Sequence, residues 1–167
     1  MKQLKRDNLL VPGVSGERIV LRGRVFDGEG KPLNDAVVEI WQADSEGRYA
    51  EKAAENCFVG FGRALTSDSG SFQFTTIKPG RVPTPDGTFQ APHIVVTVFA
   101  RGLLKQLLTR VYFPDEPSNA EDALLQLVPA DRRATLIARR VAASAVESNF
   151  EWDIVLQGHN ETVFFEF

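Results

Sequence analysis

The chain has 167 residues, of which 43% are hydrophobic and 25% are charged, a composition typical of one folded domain. Its formal net charge of −3 lacks the basic excess of a nucleic-acid-binding protein, so no nucleic-acid partner is expected. The longest apolar run, residues 94 to 100, is too short to span a membrane, so no membrane partner is expected.

The single cysteine, Cys57, excludes an internal disulfide and is in keeping with a reducing cytoplasm. No nucleophile signature accompanies it, so we expect a small buried or half-buried side chain rather than a reactive thiol. The charged N-terminus lacks the apolar core of a signal peptide. The expected location is therefore the cytoplasm.

Short β-rich runs separated by Gly, Pro and Asp dominate the chain. Residues 19 to 26 alternate in polarity with the period of two that is typical of a half-buried strand, and residues 36 to 42 form the next run. The runs 61–66 and 72–77 flank Ser67-Asp-Ser-Gly70, a short loop containing Gly. These two runs are predicted to form a hairpin.

Further apolar runs follow a loop that is rich in Pro and Gly. They cover residues 94–100 and 107–113, then 150–156, where every second residue is apolar, and finally 162–167. Many short strands with frequent turns predict an all-β sandwich of two mostly antiparallel sheets.

One short helix is predicted between the strands. Ser118 and Glu121 have the spacing of a capping box ahead of the apolar residues 123–127, and Pro129 is expected to end the helix. A second helical turn is expected around residues 131–134.

Few side chains in the sequence offer catalysis or metal binding: two histidines, two tyrosines and one cysteine. HExxH, CxxC, GxSxG and phosphate-loop motifs are all lacking. Gly60-Phe-Gly62 is a weak pattern that indicates close packing. His159 is expected in an exposed turn. His93 opens the most apolar strand, where a buried imidazole needs partners for its ring nitrogens.

Several motifs, in order along the chain, resemble the intradiol ring-cleaving dioxygenases, and a set in order is more specific than any one motif. The resemblance covers about residues 16 to 167 and implies a transthyretin-like β-sandwich. The motifs are Ile40-Trp-Gln-Ala-Asp-x-x-Gly-x-Tyr49, Gly62-Arg63, Thr76-Ile-Lys-Pro-Gly80, Ala91-Pro-His-Ile94 and Asp153-Ile-x-x-Gln-Gly158.

In that family two tyrosines and two histidines hold a non-haem ferric ion, for which phenolate oxygens are suitable hard ligands. The resemblance places Tyr49 and His93 at the first tyrosine and the first histidine. Val82 stands at the second tyrosine and Val95 at the second histidine. These four residues therefore form the relic of an iron site, called the relic site below.

The resemblance also implies changes beside the relic site. Catalytic chains carry an arginine three residues before the first histidine and a glutamine just before Leu-Tyr-Phe, and these positions hold Gln90 and Arg110 here. Loss of such supporting residues alone weakens metal binding ~10–100-fold. We therefore expect this chain to bind no metal.

Further segments resemble one of the two homologous chains, α and β, that build some members of the family. In those members only β carries Fe³⁺, and the enzyme opens the ring of protocatechuate between its two hydroxyls with O₂ to give 3-carboxymuconate. The resemblance to α implies a β-chain partner, an aromatic acid substrate at the interface, and no activity of this chain alone. The segments are Phe99-Ala-Arg-Gly102, Thr109-Arg-Val-Tyr-Phe113, Leu136-Ile-Ala-x-Arg140 and residues 161–167.

Arg101 is the candidate for contact with the substrate carboxylate, because a guanidinium suits an anion in a dry cleft. The alternative is an interface ion pair that touches no ligand. The α chains of the family carry a longer N-terminal arm with a Gly-Pro-Tyr segment that helps line the active site. Residues 1–15, expected to form a loosely held arm ahead of a domain at 16–167, lack that segment.

Three other functions stay open. A self-sufficient homomeric dioxygenase needs four ligands where the sequence offers two. A non-catalytic binding module would show the same strand pattern. A purely structural partner would raise the solubility of the β chain without shaping its pocket.

Overall fold

The structure is a computed structural model that describes residues 5–51, 57–142 and 144–166. Its helices are one α-helix, α1 (Ala123–Leu127), and two 3₁₀ helices, Pro117–Glu121 and Arg133–Leu136. Its strands are β1 (Arg18–Phe26), β2 (Val37–Gln42), β3 (Phe61–Leu65), β4 (Ser71–Ile77), β5 (Val82–Pro83), β6 (Phe89–Gln90), β7 (His93–Phe99), β8 (Leu107–Tyr112), β9 (Arg139–Val141), β10 (Ser148–Glu151) and β11 (Ile154–Val155).

Two sheets face each other across one core. In sheet I, β1 pairs antiparallel with β4 on one side and parallel with β10 and β11 on the other, and β9 extends the sheet beyond β10. Sheet II has the order β3-β2-β7-β8 and is antiparallel throughout. The short strands β5 and β6 form a separate pair. The predicted all-β sandwich is confirmed.

Alternating side chains from both sheets fill the core. Ile19 and Leu21 from β1 and Ile40 from β2 are buried between the sheets. The rings of Phe113 and Phe150 meet edge to face, with centroids 5.2 Å apart. Burial of each such side chain contributes about 1.5–3 kcal/mol. The other set of sheet II side chains points away from the core and forms the outer face of that sheet.

The predicted hairpin of residues 61–66 and 72–77 is wrong. Strand β3 pairs with β2 in sheet II, whereas β4 pairs with β1 in sheet I, so the connection passes from one sheet to the other. The turn itself forms as its residues predict: the N–H of Gly70 donates to the carbonyl of Ser67 (2.8 Å), and Gly70 takes a φ of 76°. Local turn residues do not determine which strands pair.

The predicted capping box is also wrong. Ser118 and Glu121 belong to the first 3₁₀ helix, and α1 is capped by Asp122, whose carboxylate accepts a hydrogen bond from the N–H of Leu125 (2.9 Å). Helix α1 does end before Pro129 as expected. The second 3₁₀ helix, Arg133–Leu136, overlaps the turn predicted at 131–134 but is shifted by two residues.

The apolar run predicted as one strand at residues 150–156 is divided between β10 and β11. Gly23 of β1 approaches the carbonyl of Trp152 so closely that a Cβ would lie 1.7 Å from that oxygen. Between the residues of β1 that pair with β10 and those that pair with β11, the N–H of Arg24 donates to the Asp153 carboxylate (2.9 Å). The run predicted at 162–167 makes an isolated bridge between Phe165 and Leu108, and its last residue lies outside the described part of the chain.

The N-terminal segment is held more firmly than a loose arm, so that expectation is wrong for residues 5–9. Arg6 and Arg63 exchange backbone hydrogen bonds of 2.8 and 2.9 Å, and the side chain of Leu9 lies in the core. The expected close packing at Gly62 is confirmed, since a Cβ there would lie 2.9 Å from Leu9 Cδ1. The boundary at residue 15 stays a prediction, and residues 1–4 are not described.

Cys57 is exposed, so the expectation of a buried or half-buried thiol is wrong. His159 is exposed, as expected. Among the described residues no helix is long and apolar enough to cross a membrane.

Candidate functional site

The turn that carries Tyr49 packs against the segment that leads to Val82. The carboxylate of Asp44 accepts hydrogen bonds from the N–H groups of Glu46 (2.9 Å) and Arg48 (3.0 Å), which fixes the turn. Gly47 takes a φ of 80°, and a Cβ there would lie 1.8 Å from the carbonyl oxygen of Arg81. The glycine therefore allows the two segments of the relic site to approach one another.

A row of neighbouring residues on the outer face of sheet II joins the relic positions. Trp41, Val95 and Arg110 are cross-strand neighbours on β2, β7 and β8. The ring of Tyr49 stacks on that of Trp41, with centroids 5.8 Å apart and an interplanar angle of 8°. Trp41 therefore lies between the ring of Tyr49 and the strand position of Val95.

Gln90 and Arg110 contact each other directly. Val82 and Gln90 are paired across β5 and β6. Arg110 Nη1 donates a hydrogen bond to Gln90 Oε1 over 2.8 Å. The two residues at the positions where the resemblance implies arginine and glutamine in catalytic chains are thus hydrogen-bonded to each other.

His93 is a buried, neutral imidazole. Its Nδ1 lies 2.7 Å from the carbonyl oxygen of Ala91, which can only accept, so Nδ1 carries the hydrogen. Burial, together with the nearby charge of Arg110, lowers the pKa of His93 to about 4. The ring lies 5.8 Å from that of Tyr112, centroid to centroid. His93 therefore carries no charge at neutral pH.

Asp122 is the centre of the hydrogen bonds behind His93. Its fully buried carboxylate accepts from the N–H of Ala91 (2.8 Å), the N–H of Leu125 (2.9 Å) and the hydroxyl of Tyr112 (3.1 Å). Burial and the charge of Asp122 raise the pKa of Tyr112. Sequence reasoning missed Asp122 and Tyr112. The available signal was an aspartate directly before an apolar helical run, which is a favoured N-cap.

The residues of the relic site do not fit a ferric ion. Val82 and Val95 have no donor atom, and burial raises the pKa of Tyr49 despite the opposing charge of Arg110, so its phenol stays protonated at neutral pH. The described residues also contain no group of three or more His, Cys, Asp or Glu side chains that could hold a metal.

Arg101 lies far from the relic site. It follows the C-terminal end of β7, and the strand separates it from His93 by roughly 20 Å. It lines an open groove of about 1090 Å³ with Leu103 and Phe164 among its walls. Arg101 Nε is 3.2 Å from Asp35 Oδ2, and its side chain is 72% exposed. Arg101 therefore does not reach the relic site of its own chain.

Between the relic site at one end of β7 and Arg101 beyond the other end, the outer face of sheet II is largely apolar. Trp41, Leu65 and Phe99 are 39%, 49% and 40% exposed. At the centre of the face Arg63 Nε donates to Glu39 Oε1 over 2.7 Å. Large apolar side chains exposed on one face are a feature of surfaces that contact a partner.

The family model described as "Dioxygenase" matches residues 4–158. The chain belongs to the intradiol dioxygenase family. It is 42% identical to the protocatechuate 3,4-dioxygenase α chain of Burkholderia cepacia over 99% of this chain and 85% of that relative. It is also 37% identical to the β chain from the same organism, over 88% of this chain and 67% of the relative.

Among solved structures, the dioxygenase domain of a dioxygenase carbohydrate-binding protein fusion from Streptomyces sp. SirexAA-E matches with a TM-score of 0.75 and 31% identity. The match covers 93% of this chain and 89% of that one. The intradiol dioxygenases are iron-dependent enzymes, and this chain is similar to both an α and a β chain. The predicted family and its sandwich are confirmed.

Proposed function

We propose that this chain is the α subunit of a protocatechuate 3,4-dioxygenase and binds no iron itself. It pairs with a homologous, iron-bearing β subunit in a hetero-oligomer. Together they cleave protocatechuate with O₂ between its two hydroxyls to 3-carboxy-cis,cis-muconate. The observation that carries this proposal is the relic site, in which Val82 and Val95 occupy two ligand positions of an otherwise well-formed intradiol fold.

The part of this chain in the reaction is to close the substrate pocket. The ferric ion of the β subunit supplies the activation of the catechol ring for reaction with O₂. The outer face of sheet II, with Trp41 and Phe99 exposed, supports a permanent contact with the β subunit, since such interfaces are more apolar than ordinary protein surface. A partner on this face would exclude water from the pocket it covers.

Arg101 is the residue of this chain that we propose for the substrate carboxylate. Its distance from the relic site of its own chain supports a role toward a site on the β subunit. Its ion pair with Asp35 is exposed, and such pairs contribute only about 0–1 kcal/mol. Arg101 can therefore exchange this partner for a carboxylate at little cost.

We also propose a cytoplasmic location, which the exposed thiol of Cys57 supports because free surface thiols suit a reducing compartment. Neither a nucleic acid nor a membrane is proposed as a partner. The division into an N-terminal segment at 1–15 and a sandwich domain at 16–167 is likewise a proposal.

Co-expression with the β chain, followed by co-purification, tests the proposed function. We expect a stable mixed oligomer with a red-brown colour from tyrosinate-to-iron charge transfer and with iron equimolar to β. The chain purified alone is expected to be colourless and inactive. Iron binding together with oxygen consumption on a catechol acid by this chain alone would contradict the proposal.

The same experiment separates the alternatives. A monomer that is indifferent to the β chain would indicate a binding module. Equal activity of β alone and of the mixed complex would indicate a partner that is purely structural.

A further inference from the structure

Arg110 has a central place among the residues of the relic site. It is the cross-strand neighbour of Val95 on β7. Its Nη1 donates to Gln90 and lies 3.5 Å from the hydroxyl oxygen of Tyr112. Val82 is paired with Gln90, and the ring of His93 lies 5.8 Å from that of Tyr112, centroid to centroid. Arg110 therefore adjoins the positions of Val82, His93 and Val95, either directly or through these two partners.

In the described part of the chain, Arg110 makes its side-chain hydrogen bonds to an amide and a phenol rather than to a carboxylate. The carboxylate of Asp122 accepts from the hydroxyl of Tyr112, which lies between it and Arg110. None of the ion pairs found among the described residues includes Arg110. A half-buried cation held by an amide and a phenol thus supplies the positive charge of the site.

We propose that the guanidinium of Arg110 takes the place of the metal, so that it holds the relic site together and repels a metal cation. The proposal rests on the proposed function, in which this chain is the one without iron. It goes further, because it gives the chain two separate barriers to metal: two missing ligands and one resident cation. The exchange of arginine and glutamine between positions 90 and 110 places this cation on β8.

The test compares two ways of restoring the ligands. The variant Val82→Tyr/Val95→His regains the four ligand types but keeps Arg110. The variant Val82→Tyr/Val95→His/Gln90→Arg/Arg110→Gln also moves the cation back to position 90. We expect the fourfold variant to bind Fe³⁺ at least about 100-fold tighter, because a like charge inside the site is strongly repulsive. Metal content and tyrosinate-to-iron absorbance are the measurements.

The exchange alone, Gln90→Arg/Arg110→Gln, is the matched control and should bind no iron, since it restores no ligand. Each variant is first checked for cooperative thermal unfolding. If Val82→Tyr/Val95→His binds Fe³⁺ within about tenfold of the fourfold variant, Arg110 does not exclude metal and the inference fails. Iron binding by the unmodified chain would instead refute the proposed function, so the two failures are distinguishable.

A second measurement does not depend on whether the variants with restored ligands fold. Arg110→Ala should lower the melting temperature, and added methylguanidinium should raise it again by filling the vacated place, as a ligand of the folded state does. Arg139→Ala, which removes an exposed arginine paired with Glu151, should show no such gain. An equal response of both variants, or a response of neither, would refute the stabilising role of Arg110.

Discussion

The two ends of strand β7 differ in burial and in hydrogen bonding: the His93 end is closed and the Arg101 end is open. At the His93 end, side chains are buried and joined by hydrogen bonds from Asp122 through Tyr112 to Arg110 and Gln90. At the other end, Arg101 lies in an open groove and forms an exposed ion pair with Asp35.

The closed end holds the four relic positions, two of which carry valine, a side chain without a donor atom for a metal. Arg101, which we propose for the substrate carboxylate, lies at the open end. The hydrogen bonds of the closed end can therefore stabilise the fold whether or not the site binds a metal. Removing any one of them leaves a buried polar group unpaired, which is costly.

Loss of Asp122 should have the largest effect at the closed end. Asp122→Ala leaves the N–H groups of Ala91 and Leu125 and the Tyr112 hydroxyl without their acceptor, so we expect about 3–5 kcal/mol lower unfolding free energy. Urea denaturation measures this. The control Asp131→Ala, at an exposed position, should change stability by less than about 0.5 kcal/mol. A loss below about 1 kcal/mol for Asp122→Ala would show that the network does not hold this end together.

The buried imidazole should make stability depend on pH. The pKa of His93 is about 4 in the folded chain against its ordinary value of 6.5, so between these values the unfolded chain binds a proton that the folded chain does not. Stability should therefore fall by about 3 kcal/mol as pH drops from 6.5 to 4.

His93→Gln should remove this part of the pH dependence, and urea denaturation at several pH values measures the difference. His159→Gln, which replaces an exposed histidine, should keep the dependence of the original chain. If the unfolding free energy of the original chain and that of His93→Gln changed with pH in the same way, the lowered pKa of His93 in the folded state would be refuted.

The resemblance to the family places Tyr49, Val82, His93 and Val95 at the ligand positions, and that assignment stays a prediction. The contacts of the closed end could not be predicted from the sequence. The contact between Arg110 and Gln90 joins residues 20 positions apart through long side chains, and no local pattern reports it.

Non-local pairing also explains the errors in the fold. The turn at Ser67–Gly70 was recognised correctly, yet β3 and β4 enter different sheets because each buries its apolar face against a distant strand. Asp122 was missed because Ser118 and Glu121 offered an equally good local cap, and only burial distinguishes the two. Local signals thus predicted element types, and long-range packing decided their partners.

Between the two ends, the outer face of sheet II should be essential for association with the β subunit. Phe99→Glu places a charge in the proposed interface, where its burial would weaken association by about 100-fold. The fold itself should change little, because this side chain is already 40% exposed. Val146→Glu, at a position 76% exposed just before β10 of sheet I, is the control and should associate normally. Sedimentation of the mixed chains measures both, and unimpaired assembly of Phe99→Glu would place the interface elsewhere.

The smallest expected effect belongs to the open end. Arg101→Lys keeps the charge but loses the planar fork that binds a carboxylate with two hydrogen bonds, so KM for protocatechuate should rise about tenfold in the mixed complex. The iron colour should be unchanged. Arg139→Lys is the matched control, because that arginine is also exposed and paired with a carboxylate, but lies in sheet I.

Asp35→Asn separates the two roles open to Arg101. It removes the ion-pair partner and leaves the guanidinium free, so a substrate contact predicts an unchanged or lower KM. An interface ion pair predicts instead that Asp35→Asn and Arg101→Lys weaken assembly alike and leave KM unchanged. Since a substrate contact changes KM and an ion pair changes assembly, kinetics and assembly measured on the same samples decide between the two roles.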